Sequence, residues 1–292
     1  MKREREETTA MAATADAPDV GDETIRAAAQ GAASVTPKKA KTQPELREEF
    51  SSARIDANAR DSAVCISVSM DVEKLFRGAR VIPLTSDGAS WIYYVPKWYR
   101  RIYAQCMEDL QITLPYADWF QQVWNLHPKD HDTIKMFGRD VLTPRYQQVY
   151  GTSYRFSGKM FHAKEFPEQL IHAVTLMQAL VVHADSGETY LQGALVNWYE
   201  HGDHYVGPHS DDESHLHLNS PVFALTLGAT RRFIFTPRAN TPDQSAKKLE
   251  LSLDDGDLLV MGGTTQKTHK HALPKMKKCA GKRISLTMRC FK

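Results

Sequence analysis

Histidine is the residue type in this chain with the greatest potential for chemistry. Seven of the 12 histidines lie between residues 201 and 271. Three histidine–x–aspartate triplets occur, at 183–185, 201–203 and 209–211. Side chains at positions i and i+2 of an extended chain point to the same side, so each triplet could offer an imidazole and a carboxylate to one metal ion. The first triplet follows a helical pattern, and we interpret it as a solvated helix end.

The C-terminal strand distinguishes the third triplet from the other two. Over residues 283–289 the alternation places Arg283, Ser285, Thr287 and Arg289 on one face and apolar residues on the other. The apolar face predicts burial in a core. A buried guanidinium is costly unless an anion pairs with it, so two arginines inside a fold imply a bound dicarboxylate or phosphate. An edge strand with its polar face in water is the alternative.

Together these residues indicate a metal-dependent oxygenase. Two histidines and one carboxylate form the facial triad of non-heme Fe(II) oxygenases, which leaves coordination positions open. His209 and Asp211 supply two of the three groups, and His269 and His271 are both available as the second histidine. A strand that carries arginines would bind the carboxylates of 2-oxoglutarate, the co-substrate of such enzymes.

The elements that must position these residues change along the chain. Apolar residues recur at helical spacing over about 95–110 and again over 167–184, which predicts two helices. After residue 190, short apolar or alternating segments separated by turn residues predict strands. The predicted strands are 191–199, 221–227, 232–236, 249–253, 258–261 and 283–290. We therefore predict an α+β fold with a double-stranded β-helix (jelly roll) core and helices packed on one side.

The order of the motifs resembles that of the AlkB family of Fe(II)/2-oxoglutarate-dependent dioxygenases. Five motifs follow one another as in that family: Asn197-Trp-Tyr199, Gly207-Pro-His209-Ser-Asp211-Asp-Glu213, Leu258-Leu-Val-Met261, His271-Ala-Leu-Pro274 and Arg283-x-Ser-x-Thr-x-Arg289. Upstream, four shorter motifs resemble its DNA-repair branch: Phe137-Gly138, Pro144-Arg145-x-Gln147, Tyr150-Gly151 and Phe156-Ser157-Gly158. The resemblance covers about 134–291, more than half of the chain.

The resemblance assigns roles to the residues of the site. It selects His271, which stands before Ala-Leu-Pro, so that the expected catalytic ligands of Fe(II) are His209, Asp211 and His271. It assigns 2-oxoglutarate binding to five residues: Asn197, Tyr199, Arg283, Ser285 and Arg289. The family usually has asparagine where this chain has Ser285, and the shorter side chain could weaken 2-oxoglutarate binding. O2 is the remaining co-substrate.

The resemblance also implies a reaction and a substrate. The expected activity is oxidative demethylation of N-alkylated bases in DNA, of the 1-methyladenine and 3-methylcytosine type. It would reverse alkylation damage directly and release formaldehyde, succinate and CO2.

Such methylated bases are cationic, so a carboxylate and aromatic faces should line the pocket. The expected substrate contacts are Phe137, Arg145, Tyr150, Tyr154, Phe156 and Glu213. Residues of about 130–160 would form a nucleic-acid recognition lid, with Phe137 as the wedge that replaces a flipped base.

Length and charge set the expected domain organisation. The 292 residues include 37 Lys+Arg and 35 Asp+Glu, so the formal net charge of +2 excludes a blanket polycation. Residues 1–62 are poor in apolar groups and predict a disordered tail, with a basic cluster of nuclear-import type at 37–41. Residues 63–292 would form the dioxygenase domain. Residues 258–292 hold nine Lys+Arg and no acidic residue, which predicts a phosphate-binding surface beside the iron.

These features predict the partners and the location. The expected partner is DNA, duplex or single-stranded, with RNA as a second possibility. No apolar run reaches the roughly 18 residues of a membrane span, so no membrane partner is expected. The four cysteines form no Cys-x-x-Cys pair, which indicates free thiols in a reducing compartment. We expect a monomer in the nucleus, or otherwise in the cytoplasm.

Three rival functions remain open at this stage. An RNA demethylase of the same family is the nearest alternative. A protein hydroxylase would share the iron site but would not need Glu213 or the basic turn around Phe137. A zinc-binding module without chemistry could use His209, His215 and His217, although this spacing lacks cysteines and leaves the two arginines unexplained.

Overall fold

The computed structural model describes residues 76–292, apart from 110–112, 137, 157, 185–190 and 218. The predicted tail at 1–62, its basic cluster at 37–41 and the predicted domain boundary lie outside the described residues. No helix in the described part of the chain is long and apolar enough to cross a membrane.

Fifteen strands and four helices form within the described residues. The strands are β1 (Arg80–Pro83), β2 (Ser90–Val95), β3 (Thr133–Met136), β4 (Arg139–Leu142), β5 (Tyr146–Tyr150), β6 (Tyr154–Phe156), β7 (Lys159–Phe161), β8 (Gly193–Tyr199), β9 (Val206–His209), β10 (Val222–Gly228), β11 (Arg231–Pro237), β12 (Leu249–Leu253), β13 (Leu258–Gly263), β14 (His269–Leu273) and β15 (Arg283–Arg289). The helices are α1 (Trp98–Asp109), α2 (Tyr116–Trp124), α3 (Glu168–Ala184) and α4 (Thr265–Thr268).

Two antiparallel sheets build the core. The larger sheet has seven strands in the order β1-β2-β13-β10-β15-β8-β5, and the smaller has four in the order β12-β11-β14-β9. Hairpins β3–β4 and β6–β7 form two further two-stranded sheets. Strands far apart in sequence lie side by side in both main sheets, as a jelly roll requires. The predicted α+β jelly-roll fold is therefore confirmed.

Alternation along β15 sets which side chains reach which core. Ile284, Leu286 and Met288 lie in the apolar core beneath α1, α2 and α3. Their neighbours on the strand therefore face the space between the two sheets. Burial of each large apolar side chain stabilises the fold by about 1.5–3 kcal/mol, so a one-residue slip that carried the arginines under the helices is strongly unfavourable. Because β15 lies between β10 and β8, the edge-strand alternative is wrong.

The helical layer covers one face of the larger sheet. It contributes Trp98 and Ile102 of α1, Trp119 of α2 and Leu170 of α3 to the core. The two predicted helices correspond to α1 and α3, which begin and end within a few residues of the predicted bounds. A second core, which includes Phe235, fills the space between the sheets.

Two strands that matter for the site were missed by the sequence patterns. β9 reads Val-Gly-Pro-His and β14 reads His-Lys-His-Ala-Leu. Both are short and polar, so neither shows the alternation of apolar and polar residues on which strand prediction rests.

A buried histidine makes the stability of the helical layer depend on pH. His172 on α3 lies with Nδ1 3.1 Å from the Tyr99 hydroxyl, and burial lowers its pKa from 6.5 to about 4. As the pH falls, this histidine is protonated in the unfolded chain before it is protonated in the folded chain. Its contribution to the free energy of unfolding is therefore complete above pH 6.5 and is lost as the pH falls toward 4. We expect His172→Gln to remove this pH dependence, which amounts to about 2–3 kcal/mol in the free energy of unfolding over this pH range.

Urea unfolding at several pH values measures the difference. His162→Gln, at an exposed position, is the control and should keep the pH dependence of the wild type. The same pH dependence in His172→Gln as in the wild type would contradict the assignment.

Candidate metal centre and substrate site

Three ligand-bearing side chains meet where β9 ends against β14. His209 at the end of β9 is the cross-strand partner of His271 on β14, and the two ring centroids are 4.2 Å apart. Asp211 completes the group: its Oδ1 is 4.0 Å from His209 Nε2 and its Oδ2 is 3.8 Å from His271 Nε2. The ligand atoms all lie within 4.8 Å of one another.

Each histidine is held as a neutral imidazole. His209 Nδ1 lies 2.9 Å from the Gly207 carbonyl oxygen; a carbonyl can only accept, so Nδ1 carries the proton and the Nε2 lone pair is free. The ring of His271 stacks on Phe233 at 5.5 Å between centroids. Burial lowers the pKa of His209 and lowers that of His271 to about 3. Neutral imidazole is the form that binds metals.

Asp211 is held as a carboxylate by the opposite sheet. Arg289 Nη2 on β15 donates to its Oδ1 at 2.9 Å, and both side chains are about 95% buried. Burial alone would raise the pKa of Asp211, but the Arg289 guanidinium beside it outweighs burial and the pKa is lowered. The backbone N–H of Asp211 donates to Gln266 Oε1 on α4 at 3.0 Å, which fixes the loop after β9.

The donor set fits a divalent transition metal. Oδ2 of Asp211 is buried and has no hydrogen-bond partner among the described residues. A buried carboxylate oxygen is normally paired with a donor or a cation. The two imidazoles beside Oδ2 are neutral, so neither supplies a positive charge that pairs with it. Two nitrogens and one carboxylate are the ligands that Fe(II) takes in facial-triad sites.

An anion site faces the same interior. Arg283 on β15 is 1% exposed; its Nη2 donates to Thr226 Oγ1 at 2.9 Å, whereas Nε and Nη1 are buried without partners among the described residues. Burial lowers its pKa to about 10. Its guanidinium lies 5.1 Å from the centroid of the Tyr199 ring. Unpaired donors on a buried guanidinium make it a strong binding group for a carboxylate.

Three of the other residues predicted to bind 2-oxoglutarate lie near Arg283, whereas Arg289 lies at the other end of β15 and pairs with Asp211. Across β15 and β8, Arg283 pairs with Tyr199 and Ser285 pairs with Asn197, and these pairs share one face of the sheet. Arg145 joins this group, since its Nε donates to Asn197 Oδ1 at 2.7 Å. Arg145 was predicted as a substrate contact, and the structure places it against the predicted 2-oxoglutarate residues instead.

Some of the residues predicted to contact the substrate lie near the metal-ligand group, and others do not. Tyr154 lies at the site: Arg289 Nη1 donates to its hydroxyl at 3.1 Å. The Tyr154 and Phe156 ring centroids are 5.4 Å apart, and Phe156 stacks on Phe161. Glu213 is part-buried, and burial together with Asp211 raises its pKa to about 7. Phe137 lies outside the described residues.

Tyr150 does not lie with the other predicted substrate residues. Its ring is 4% exposed, packs in the helical core and lies 6.1 Å from Phe166. The reason is its phase on β5, where Tyr146 and Tyr150 lie on the face toward the helices and Gln147 and Val149 lie on the other face. The expectation of a substrate contact from Tyr150 is therefore not supported.

The structure separates the two histidines that the sequence left open. Both ring nitrogens of His269 have local partners: Nδ1 lies 2.8 Å from Thr268 Oγ1 and Nε2 lies 3.1 Å from the Lys247 carbonyl. His271 is the one that meets His209 and Asp211. Among the described residues His215 does not join this group; its ring stacks on Phe291, which removes the geometric basis of the zinc alternative.

Arg231 is a buried residue of this region that sequence reasoning did not single out. It is 0% exposed, and its Nη2 donates to the carbonyls of His204 and Pro274 at 2.8 Å each. These bonds tie the β8–β9 connection to the segment after β14. Arg231 stands beside Arg232 at the start of a strand, and the sequence pattern there does not show which of the two arginines is buried.

The residues described above lie within a region that matches a known family. The 2OG-Fe(II) oxygenase superfamily matches residues 102–289. This span covers more than half of the chain and contains every residue predicted to bind the metal or 2-oxoglutarate. The chain therefore belongs to this superfamily, as predicted. The family implies Fe(II), 2-oxoglutarate and O2 as cofactor and co-substrates.

Individual relatives bear names of AlkB type, as the motifs predicted. The chain is 33% identical over 162 residues to the DNA oxidative demethylase ALKBH2 of Bos taurus, a match over 53% of this chain and 56% of that protein. It is 32% identical over 122 residues to the alpha-ketoglutarate-dependent dioxygenase alkB homolog 3 of Bos taurus, over 40% and 42% of the two chains. The solved structure of OsALKBH1 matches with a TM-score of 0.42 at 17% identity, over 68% of this chain and 97% of that one. The chain spans about half the length of the curated relatives it matches.

Metal binding should depend on His271 and not on its neighbour His269. At a metal concentration a hundredfold above Kd, binding to the folded state stabilises it by about 2.7 kcal/mol. We expect Mn(II) or anaerobic Fe(II) to raise the Tm of the wild type and of His269→Gln, and to leave the Tm of His271→Gln unchanged. Thermal unfolding with and without metal measures this. A metal-dependent rise in His271→Gln that equals the wild-type rise would contradict the ligand set.

Two buried arginines should respond in opposite ways to the same substitution. Arg283→Met removes unpaired donors, so we expect unchanged or higher stability and loss of 2-oxoglutarate binding. Arg231→Met leaves two backbone carbonyl oxygens without their donor, at a cost of about 1–3 kcal/mol each, so we expect lower stability with 2-oxoglutarate binding retained. Calorimetric titration of 2-oxoglutarate in the presence of Mn(II) and denaturant unfolding separate the two. Wild-type 2-oxoglutarate affinity in Arg283→Met would sink the assignment.

Proposed function

We propose that this chain is an oxidative demethylase of N-methylated bases in nucleic acid, with 1-methyladenine and 3-methylcytosine in DNA as its substrates. The observation that carries the proposal is the carboxyl group of Glu213 next to the metal-ligand group. Its Oε2 is buried without a partner among the described residues, and its pKa is raised to about 7 by burial and by Asp211. A cationic methylated base would supply both a hydrogen-bond donor and the missing positive charge.

His209, Asp211 and His271 would hold Fe(II) in this proposal. When bound, Fe(II) with 2-oxoglutarate and O2 supplies the oxidation of the N-methyl carbon, which leaves as formaldehyde, while 2-oxoglutarate becomes succinate and CO2. The protein keeps the ligands in the required protonation states: burial keeps the imidazoles neutral, and Arg289 keeps Asp211 ionised.

Arg283 would bind the distal carboxylate of 2-oxoglutarate through unpaired donors of its guanidinium. Tyr199, Asn197 and Ser285 would line the co-substrate along the same face of β8 and β15, with Arg145 orienting the Asn197 amide through the bond to Oδ1. This arrangement directs the co-substrate from Arg283 at one end of β15 toward Asp211 and Arg289 at the other.

Contacts with the nucleic acid are supported by two features of the surface. The lysines after β13 are exposed, at positions 267, 270, 275, 277, 278 and 282, and they could contact phosphates. Hairpin β3–β4 exposes apolar side chains, with Leu142 64% and Val141 41% exposed. Phe137 connects these two strands in sequence, and its action as a wedge in duplex DNA stays a prediction. The nuclear location and the monomeric state also stay predictions.

Release of formaldehyde from defined oligonucleotides tests the proposed function. The substrates are 1-methyladenine or 3-methylcytosine in single-stranded DNA, duplex DNA and the two RNA counterparts, with Fe(II), 2-oxoglutarate and O2. We expect turnover of at least one DNA substrate, loss of more than a hundredfold in His209→Ala, and wild-type turnover in the matched control His162→Ala at an exposed histidine.

Each outcome of this assay has a defined meaning. Turnover of RNA that exceeds turnover of both DNA forms would assign the chain to RNA instead. Succinate production without formaldehyde from any oligonucleotide would overturn the demethylase proposal and would favour a protein substrate. Phe137→Ala should lower turnover of duplex DNA more than of single strands, because only the duplex needs a wedge.

A further inference from the structure

Gln147 is a buried amide whose hydrogen-bonding groups lack partners. Its side chain is 4% exposed, and both Nε2 and Oε1 are buried without a hydrogen bond to any described residue. A buried amide left unpaired lowers stability by about 1–3 kcal/mol relative to a paired one. In a ligand-binding interior a bound molecule can supply the partner that such a group lacks.

The position of Gln147 on β5 directs its amide into the site. Gln147 pairs across the sheet with Asn197 on β8, and cross-strand partners project to the same face. Arg145, two residues earlier on that face, donates to the Asn197 side chain. Tyr146 and Tyr150 occupy the opposite face, against the helical core.

The sheet order separates Gln147 from the expected position of 2-oxoglutarate. β5 is the edge strand and lies two strands away from β15, with β8 between them. Strands are spaced about 4.8 Å apart, so the backbone of Gln147 lies roughly 10 Å from the strand that carries Arg283 and Arg289. Asn197 occupies the intervening position.

The other neighbour of Gln147 belongs to the predicted lid. Val149, two residues on and on the same face, packs in one cluster with Tyr154 and Phe161 of hairpin β6–β7. Tyr154 in turn bonds to Arg289 beside the metal-ligand group. Gln147 therefore lies between the Asn197 side chain and the aromatic residues expected to meet the base.

We propose that Gln147 contacts the flipped base and helps to determine which methylated base is accepted. This inference rests on the proposed demethylase function and deepens it. A primary amide pairs with adenine through two hydrogen bonds, donating to N7 and accepting from the N6 amino group. In 1-methyladenine that edge is free, because the methyl group is on N1. In 3-methylcytosine the amide can accept from the N4 amino group but finds no ring acceptor beside it, so Gln147 favours 1-methyladenine.

The test compares Gln147→Leu with Gln148→Leu on the two methylated bases. Gln148 is the next residue on β5, on the opposite face, and its Nε2 donates to the Val149 carbonyl. Initial rates of formaldehyde release give kcat/KM for single-stranded oligonucleotides with 1-methyladenine or 3-methylcytosine. Titration of 2-oxoglutarate at fixed oligonucleotide gives its KM, and thermal unfolding reports folding. Gln147→Met is the second variant if Gln147→Leu does not fold.

We expect Gln147→Leu to lower kcat/KM for 1-methyladenine by about 10- to 100-fold, and to lower it less for 3-methylcytosine. The KM for 2-oxoglutarate should equal that of the wild type, and the Tm should not fall below the wild-type value. Gln148→Leu should match the wild type in selectivity. Unchanged selectivity in Gln147→Leu, or a raised KM for 2-oxoglutarate with equal loss on both bases, would overturn the inference while leaving the proposed function intact. Absence of wild-type turnover on every methylated oligonucleotide would overturn both.

Discussion

The ion pair between Arg289 and Asp211 joins the larger sheet to the loop that carries the candidate metal ligands. Its donor and acceptor atoms are 2.9 Å apart, and both side chains are almost fully buried. A buried ion pair of this kind gives little net stability, because desolvation offsets most of the attraction. The ion pair instead sets the protonation state and the orientation of Asp211. The carboxyl group stays ionised, Arg289 binds its Oδ1, and its Oδ2 faces the two neutral imidazoles. The position of β15 between β10 and β8 makes this geometry possible, since the apolar face of the strand is anchored beneath the helices.

The site carries more buried positive than negative charge. Arg145, Arg283 and Arg289 face an interior in which the described carboxylates are Asp211 and the part-buried Glu213. Arg283 and Asp211 each retain buried polar atoms without partners. A bound dicarboxylate would pair with the unpaired donors of Arg283, and a bound divalent cation would pair with the unpaired oxygen of Asp211. The arrangement therefore accounts for cofactor and co-substrate through one physical requirement, a partner for each buried polar atom. Arg231 differs in that backbone carbonyls accept from its guanidinium, which leaves only Nε without a partner among the described residues.

The fold and the metal ligands were predictable from the sequence to different degrees. The alternation of β15 predicted the polar face of the strand correctly, because apolar residues at every second position leave one register for burial. The strands β9 and β14 were not predictable by pattern, since four- and five-residue segments rich in His, Gly and Pro have no apolar periodicity. Tyr150 was assigned to the substrate by its residue type, and its phase on β5 places it on the other face. Gln147 stood in a recognised motif, but burial without partners is visible only in three dimensions.

The central claim is that His209, Asp211 and His271 form a metal site whose neighbouring anion site is Arg283. A crystal structure of the wild type grown anaerobically with Mn(II) and 2-oxoglutarate, with an anomalous difference map at the manganese edge, tests it most directly. The account predicts one dominant peak bonded to His209 Nε2, an Asp211 carboxylate oxygen and His271 Nε2, with a carboxylate of 2-oxoglutarate on Arg283. Glu200, His201 and His204 form the other group in the described residues that could hold a metal. A dominant peak at that group, with His209, Asp211 and His271 free of metal, would contradict the account.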